Sequence, residues 1–157
     1  MRQYQFPRGL SAAVHDHLTD VELAYIAGLI DGEGCIMSSH PKNNSNPLSL
    51  AVTMIHRPTI TWLHEKCGGA IRPHTTRQAN ARQGWTWYLK GVRTYSLLAR
   101  VASLMHTKAD EALVALALGQ TFWRDNVQGR VTAETLEMRR RFGQQLRELK
   151  RREWPTA

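Results

Sequence analysis

Hydrophobic side chains recur at two spacings along the chain. Between residues 19 and 33 they fall three and four positions apart, as in a helix that buries one face. From residue 48 they begin by alternating with polar residues, as in a strand that is buried on one side. Applied along the chain, these periods predict the order α-β-β-α-β-β-α-α-α. The predicted helices cover 20 to about 32, 57–67, 92–105, 109–123 and 131–152, and the strands cover 35–39, 48–55, 70–74 and 84–90.

Capping residues sharpen the limits of the first two helices. Thr19 and Glu22 have the spacing of a capping box, which starts the first helix at about Asp20, and Gly32 or Gly34 ends it. In the second helix, Pro58 stands in the first turn, where proline is tolerated, and two glycines follow the end.

The length of 157 residues suits a single domain with a buried core. We expect a polar, exposed N-terminal extension over 1–18, including His15 and His17, and one domain over 19–157. No apolar run is long enough for a membrane span or a secretory signal. Cys35 and Cys67 stand apart, as expected of reduced cysteines in a cytoplasmic protein.

The positive charge is concentrated in the middle of the chain. Residues 34–109 contain ten Lys or Arg and one acid, Glu65, which gives +9, whereas the whole chain carries +8. Protein surfaces usually mix both signs, so this excess predicts a face that meets a polyanion such as nucleic acid. The basic clusters 139–141 and 150–152 on the last helix are expected to be solvated, with contact to flanking DNA as the alternative.

Candidate metal-binding residues cluster at the end of the first helix. Asp31 and Glu33 flank Gly32, and carboxylates beside exposed carbonyls are the oxygen donors that Mg²⁺ prefers. Ala24, Gly28 and Gly32 repeat every fourth position, which clears one stripe for close contact with another helix.

Residues 26–34, IAGLIDGEG, resemble the motif of the LAGLIDADG homing endonucleases. The resemblance implies an α+β protein with an αββαββα core, in which a four-stranded antiparallel saddle sheet lies in the DNA major groove, and extra C-terminal helices. It also implies that a chain with a single motif forms a homodimer through its motif helices, here through Ala24, Ala27 and Gly28, and cuts a pseudo-palindromic site.

The same resemblance assigns catalytic roles by position in the motif. Glu33 corresponds to the carboxylate that binds the divalent ion, with the Gly32 carbonyl beside it. Asp31 corresponds to a carboxylate that more often supports the helix end than the metal, and it is kept as a catalytic candidate. The implied cofactor is Mg²⁺, for which Mn²⁺ or Ca²⁺ substitutes in binding.

Two further catalytic candidates follow from the resemblance. Lys108 stands where the family has a lysine that opens the helix after the sheet and points into the active site. His56 ends the second strand, where the family places a polar residue that positions water. Ile60 stands where some members carry a basic residue, so the second cation of the site is open, and Arg57 is a possible substitute.

Strand alternation predicts which side chains read DNA. If the apolar positions of each strand face the core, the polar positions between them face the groove, while turn residues contact phosphates or flanking bases. Trp85 and Trp87 share one face, and either burial or DNA contact fits the pattern. The predicted DNA-contacting set is Met37, Ser39, Lys42, Asn43, Asn44, Ser49, Thr53, Arg72, His74, Arg77, Arg82, Trp85 and Trp87.

The predicted function is a metal-dependent, sequence-specific double-strand DNA endonuclease encoded in an intron or another mobile element. Two alternatives on the same scaffold are a maturase that binds intron RNA and a DNA-binding regulator that does not cleave. Glu33 and Lys108 argue against the regulator, because binding alone does not need an acid aimed at phosphate.

Overall fold

The computed structural model describes residues 12–38, 48–74, 81–128 and 131–152. Within these ranges the predicted order of helices and strands is confirmed, and the protein is α+β with one four-stranded antiparallel sheet. The helices are α1 (Asp20–Glu33), α2 (Arg57–Cys67), α3 (Val92–Val101), α4 (Ala109–Gln128) and α5 (Ala133–Lys150), with short 3-10 turns at Ala12–His15 and Ala102–Leu104. The strands are β1 (Gly34–Ser38), β2 (Leu48–Met54), β3 (Ala70–His74) and β4 (Gly84–Lys90).

The capping residues of α1 act as its sequence predicts. The Thr19 hydroxyl accepts a hydrogen bond from the Glu22 N–H at 3.3 Å, and the Glu22 carboxylate accepts one from the Thr19 N–H at 2.9 Å. At the other end, Gly34 donates its N–H to the Ile30 carbonyl. A Cβ at Gly34 would lie 2.5 Å from that carbonyl oxygen, so only glycine allows the chain to pass from α1 directly into β1.

The helices cover one face of the sheet, whose strand order is β1-β2-β4-β3. Ile36 of β1 pairs with Leu50 of β2, which pairs with Leu89 of β4, and all three side chains are fully buried. Leu63 of α2 and Leu97 of α3 belong to the same core. The sheet is therefore held by apolar burial on its helix side.

The opposite side of the sheet, called the open face below, carries the side chains that alternate with the core positions. Their exposure is mixed, from the buried Thr86 to the exposed Arg72. The open face consists of Cys35, Met37, Ser49, Ala51, Thr53, Ala70, Arg72, His74, Thr86, Tyr88 and Lys90.

The segment that precedes α1 is docked on the domain. His15 is fully buried and donates from Nε2 to the Arg93 carbonyl at 3.2 Å, and His17 donates to the Lys66 carbonyl at 2.7 Å. Leu18 is only 4% exposed. The prediction of an exposed extension is therefore wrong for His15 and Leu18, because His15 is hydrogen-bonded to α3 and Leu18 belongs to the hydrophobic core.

The last two helices pack against each other along α4. Arg139 is buried and donates to the Thr121 hydroxyl and carbonyl at 3.1 and 3.0 Å, with its guanidinium 3.8 Å from the Phe122 ring centre. The expected solvated arginine cluster is therefore wrong for Arg139, whereas Arg140 and Arg141 are exposed. None of the helices in the described ranges is long and apolar enough to span a membrane.

Candidate nucleic-acid interface and active site

Glu33 is the last residue of α1 and lies where the helix turns into β1. Its side chain is exposed, and it has no hydrogen-bond or ion-pair partner among the described residues. The carboxylate is thus available to a ligand at the end of the open face.

A cleft of about 480 Å³, called the proximal cleft, opens beside Glu33. It brings Glu33 together with His56, whose Nδ1 lies 2.8 Å from the Thr59 hydroxyl, and with Thr53, whose hydroxyl lies 2.9 Å from that of Thr86. Two of the predicted catalytic residues therefore share one site. The cleft is lined by Glu33, Thr53, Met54, Ile55, His56, His74, Arg82 and Gly84.

Asp31 is engaged in holding the end of α1. Its two carboxylate oxygens accept the backbone N–H groups of His106 at 2.6 Å and Lys108 at 2.9 Å. Partial burial raises the pKa of Asp31, but backbone hydrogen bonds from residues 106–108 outweigh that effect and lower the pKa overall. This geometry gives Asp31 a structural role, as the carboxylate that ties α1 to the start of α4.

Lys108 also serves the end of α1. Its ammonium group donates to the carbonyls of Ile30, at 3.0 Å, and Asp31, at 2.5 Å. These carbonyls carry the partial negative charge of the helix C-terminus, which a cation stabilises. The amine expected to point at the phosphate is directed at the backbone next to Glu33.

Neither Ile60 nor Arg57 provides the second cation of the active site. Ile60 is fully buried in the core, and Arg57 turns its guanidinium over the Trp85 ring at 4.3 Å from the ring centre. Arg57 is thus packed on the helix side and does not substitute for the missing basic residue in this arrangement.

The strand register shows whether Trp85 and Trp87 face the helices or the open face. Trp87 lies opposite Val52 and Ile71, is fully buried, and donates its indole N–H to the Gly68 carbonyl at 2.7 Å. Trp85 points to the same side, beneath Arg57. The assignment of Trp85 and Trp87 to the DNA-contacting set is wrong, because both face the helices.

A second opening on the open face, called the distal cleft, lies at the end far from Glu33. It has a volume of about 600 Å³ and contains three cations and no acid, with the Arg72 guanidinium 5.8 Å from the centre of the Tyr88 ring. A basic groove with an aromatic side chain suits the phosphates and bases of a nucleic acid. It is lined by Met37, Ser49, Gly69, Ala70, Arg72, Tyr88, Leu89, Lys90 and Arg93.

Six residues that line the distal cleft are absent from the predicted DNA-contacting set, and three of them carry a hydroxyl or a positive charge: Tyr88, Lys90 and Arg93. Tyr88 and Lys90 alternate with the two tryptophans, so burial of the tryptophans fixes them on the open face. The alternation along β4 therefore indicates Tyr88 and Lys90 as surface residues, but only once it is known which face of β4 is buried. Arg93 lies in α3, and its guanidinium rests against Gly68, which no sequence period indicates.

The remaining predicted residues belong to the dimer-interface and DNA-contacting sets. Ala27 is 1% exposed and belongs to the core, so its assignment to a dimer interface is wrong. Ala24, Gly28 and Gly32 are exposed, as a contact stripe requires. The predicted DNA-contacting residues Ser39, Lys42, Asn43, Asn44 and Arg77 lie outside the described residues.

The residues near Glu33 fit a hard divalent ion but do not complete a site for one. The Glu33 carboxylate and the neighbouring Gly32 carbonyl are oxygen donors. Over the described part of the chain, no group of three or more His, Cys, Asp or Glu could hold a metal. Any ion bound here would need further ligands from DNA, water or a second copy of the chain.

Comparison with solved structures gives close matches in architecture. The homing endonuclease I-CvuI in complex with its target, in the presence of 2 mM Ca, superposes with a TM-score of 0.64 over 87% of each chain at 16% identity. The same enzyme with the I-CreI target, in the presence of 2 mM Mg and with the DNA not cleaved, gives a TM-score of 0.65 over 87% of this chain and 86% of that chain at 15% identity.

A third match is the archaeal intron-encoded homing endonuclease I-Vdi141I complexed with DNA, with a TM-score of 0.66 over 88% of this chain and 89% of that chain at 16% identity. No protein-family model and no curated protein sequence matches the chain. The likeness therefore lies in the fold, and it extends over nearly the whole chain: this protein has the LAGLIDADG homing-endonuclease fold, with residues 26–34 at the end of its first helix.

Proposed function

We propose that the protein is a sequence-specific endonuclease that cuts both strands of DNA as a homodimer with a divalent metal ion, Mg²⁺ in the first place. The observation that carries the proposal is Glu33, an exposed carboxylate that has no partner among the described residues and lies at the edge of a basic sheet face. A carboxylate next to phosphates opposes binding through like-charge repulsion, so a protein that only binds DNA gains nothing from it. Together with a divalent cation, the same carboxylate becomes useful for hydrolysis.

In this proposal the two ends of the open face divide the work. The distal cleft binds and reads DNA through Arg72, Tyr88 and Lys90, and the proximal cleft acts on the phosphate. Glu33 and the Gly32 carbonyl would hold the metal, which supplies an activated water and offsets negative charge on the phosphate. His56 orients water within the same cleft, and Asp31 fixes the helix end that carries Glu33.

A homodimer is proposed from the exposed side of α1. Val21 is 80% exposed and Tyr25 is 50% exposed, and a Cβ at Gly28 would meet no atom within 4 Å. Pairing of this surface in two copies would bring both Glu33 residues together near the two-fold axis. A two-fold axis implies a roughly palindromic target.

The test is cleavage of a randomised double-stranded DNA library with Mg²⁺, and then with Ca²⁺. The proposal expects Mg²⁺-dependent cuts at one near-palindromic site. Selective binding without cuts under either ion would contradict cleavage and favour the DNA-binding regulator.

The regulator is kept as a second candidate for one reason: the Lys108 ammonium is occupied by the carbonyls of Ile30 and Asp31. A maturase would instead retain intron RNA in the presence of excess DNA competitor, which is a separate binding assay. Gly28→Leu tests the dimer, because its larger side chain should separate the paired helices and give monomers in sedimentation. The matched control, Leu113→Ser on the exposed side of α4, should remain dimeric.

A further inference from the structure

The surroundings of Glu33 lack a cation at the expected places. Ile60 is buried, Arg57 lies over Trp85, and the Lys108 amine is bound to backbone carbonyls. Arg82 lines the proximal cleft on the side of β3 and β4. Within the described ranges, the side of Glu33 towards β1 therefore receives no cation from α2 or α4.

The last helix approaches this side along the edge of the sheet. A Cβ at Gly143 would lie 3.2 Å from the Ser38 hydroxyl, at the far end of β1. Seven residues later, the Lys150 ammonium lies 3.2 Å from the Cys35 sulfur, near the start of β1. Helix α5 thus runs down the edge of β1 towards Glu33.

The end of α5 is held in this position by packing and charge. Leu146 is 2% exposed, and Arg152 forms an ion pair with Asp110 of α4 at 3.2 Å. Glu111 of α4, which is partly buried, lies within the electrostatic influence of both Lys150 and Lys108. These contacts place Lys150 in the same neighbourhood as the residues that support the motif.

We propose that Lys150 is an additional active-site cation, supplied by the C-terminal helix, that contacts the phosphate undergoing cleavage. Cys35 belongs to the open face, so its partner Lys150 reaches the side of the sheet on which DNA would lie. Glu33 precedes Cys35 by two residues, so their Cα atoms are at most about 7 Å apart. The long lysine side chain spans such a gap without movement of the helix.

The inference rests on the proposed nuclease activity, and its chemistry is that of hydrolysis. A water oxygen forms a bond to phosphorus while one P–O ester bond breaks. The water loses a proton to the solvent and the departing oxygen gains one, which leaves a phosphomonoester and a hydroxyl end. Lys150 donates an N–H hydrogen bond to a non-bridging phosphate oxygen and keeps its own proton, so it stabilises the negative charge of the transition state.

The first experiment compares single-turnover cleavage of the target by wild type, Lys150→Met and Lys150→Arg with Mg²⁺. Lys150→Met should reduce the rate at saturating protein by about 10- to 100-fold, the range of one lost hydrogen bond to a charged group. Its affinity for DNA, measured with Ca²⁺, should change by less than about threefold, the effect of one lost phosphate contact. Lys150→Arg should restore most of the rate.

The matched control is Arg147→Met, which removes an exposed positive charge one turn earlier on the same helix and should leave the cleavage rate unchanged. Equal cleavage by Lys150→Met and wild type would overturn the inference and leave the nuclease proposal intact. The same holds if Lys150→Met loses affinity alone, as expected of a peripheral phosphate contact. A wild type that cleaves no site would overturn both.

A second measurement does not depend on cleavage. Cys35 is exposed and Cys67 is buried, and burial raises the pKa of the Cys67 thiol to about 12. An alkylating reagent should therefore modify Cys35 and spare Cys67. Bound target DNA should slow alkylation of Cys35, because Lys150 and the phosphate cover it, and an unchanged rate would contradict the proposed contact.

Discussion

The proximal and distal clefts occupy the same sheet face but differ in charge and in support. The proximal cleft contains an exposed acid, two histidines and one arginine, and its floor is the end of α1. The distal cleft contains three cations and no acid, and it is formed by strands and by the start of α3. The two clefts thus lie at opposite ends of the same strands. The charge of the proximal cleft suits hydrolysis of a phosphodiester, and the charge of the distal cleft suits binding and recognition of a nucleic acid.

The difference also concerns how each cleft is fixed. Glu33 is positioned by backbone contacts around its helix end, through Asp31 and Lys108. Arg72 and Lys90 are exposed side chains on regular strands, so changes there leave the backbone intact. A substitution in the distal cleft should therefore alter binding alone, whereas one near α1 affects reaction or stability.

The largest effect is expected for Glu33→Gln. Loss of the carboxylate that would hold the metal should lower the single-turnover cleavage rate by roughly 10³-fold, since metal ions contribute several kcal/mol to such reactions. Affinity for DNA in Ca²⁺ should be nearly unchanged or higher, because a charge that repels phosphate is gone. A parallel loss of binding and cleavage would remove the distinction between the clefts.

Arg72→Ala is the corresponding change in the distal cleft. Loss of a base contact should relax the preference at one symmetric pair of target positions, by about 1–3 kcal/mol for each contact. The measurement is selection from the randomised library by wild type and variant. An unchanged preference would exclude Arg72 from base reading.

Asp31→Asn tests the support of the proximal cleft. The asparagine cannot accept the backbone N–H groups of His106 and Lys108 as a charged carboxylate does, so the free energy of unfolding should fall by about 1–2 kcal/mol at neutral pH. Thermal unfolding monitored by circular dichroism provides the comparison.

The pH dependence of that difference follows from the lowered pKa of Asp31. A depressed carboxyl pKa means that the stabilisation is complete above the ordinary value of 3.8 and disappears as the pH falls through the lower folded-state value. The melting temperatures of wild type and Asp31→Asn should therefore converge on acidification below pH 3.8. A gap that stays constant in acid would refute a charge-dependent role.

Lys90→Met should have the smallest effect. Lys90 is exposed at the end of β4, and removal of one phosphate contact should weaken binding of every DNA sequence alike and reduce the slope of log affinity against log salt by about 1. Target preference and cleavage rate at saturation should be those of wild type. A changed target preference would show that Lys90 contacts a base and not only a phosphate.

Much of the fold was predictable because local signals agree with one another. The capping box at Thr19, the alternation from Leu48 to Val52 and the glycines after α2 each define an element limit, and the structure has all of them. The motif also led directly to Glu33, whose exposure depends on its place at a helix end.

Other features depend on tertiary contacts that a sequence period does not contain. In β4, the tryptophans alternate with Thr86 and Tyr88, so the strand pattern alone does not decide which face is buried. The hydrogen bond from Trp87 to the Gly68 carbonyl places the tryptophans on the helix side. The direction of the Lys108 amine depends on the end of a helix that lies 78 residues earlier in the chain.

The contacts between Asp31 and the start of α4 have a consequence for the order of folding. The hydrogen bonds from His106 and Lys108 join residues that are 75 and 77 positions apart. During synthesis, Asp31 therefore cannot form these hydrogen bonds until all four strands and α3 have left the ribosome. Contacts of such sequence separation close late, since the loop entropy is lost before they form. A nascent chain that ends before residue 106 would have most of its basic surface but no hydrogen bonds from His106 and Lys108 to fix the helix end beside Glu33, so the proposed DNA-cutting activity would arise only after these residues have been synthesised.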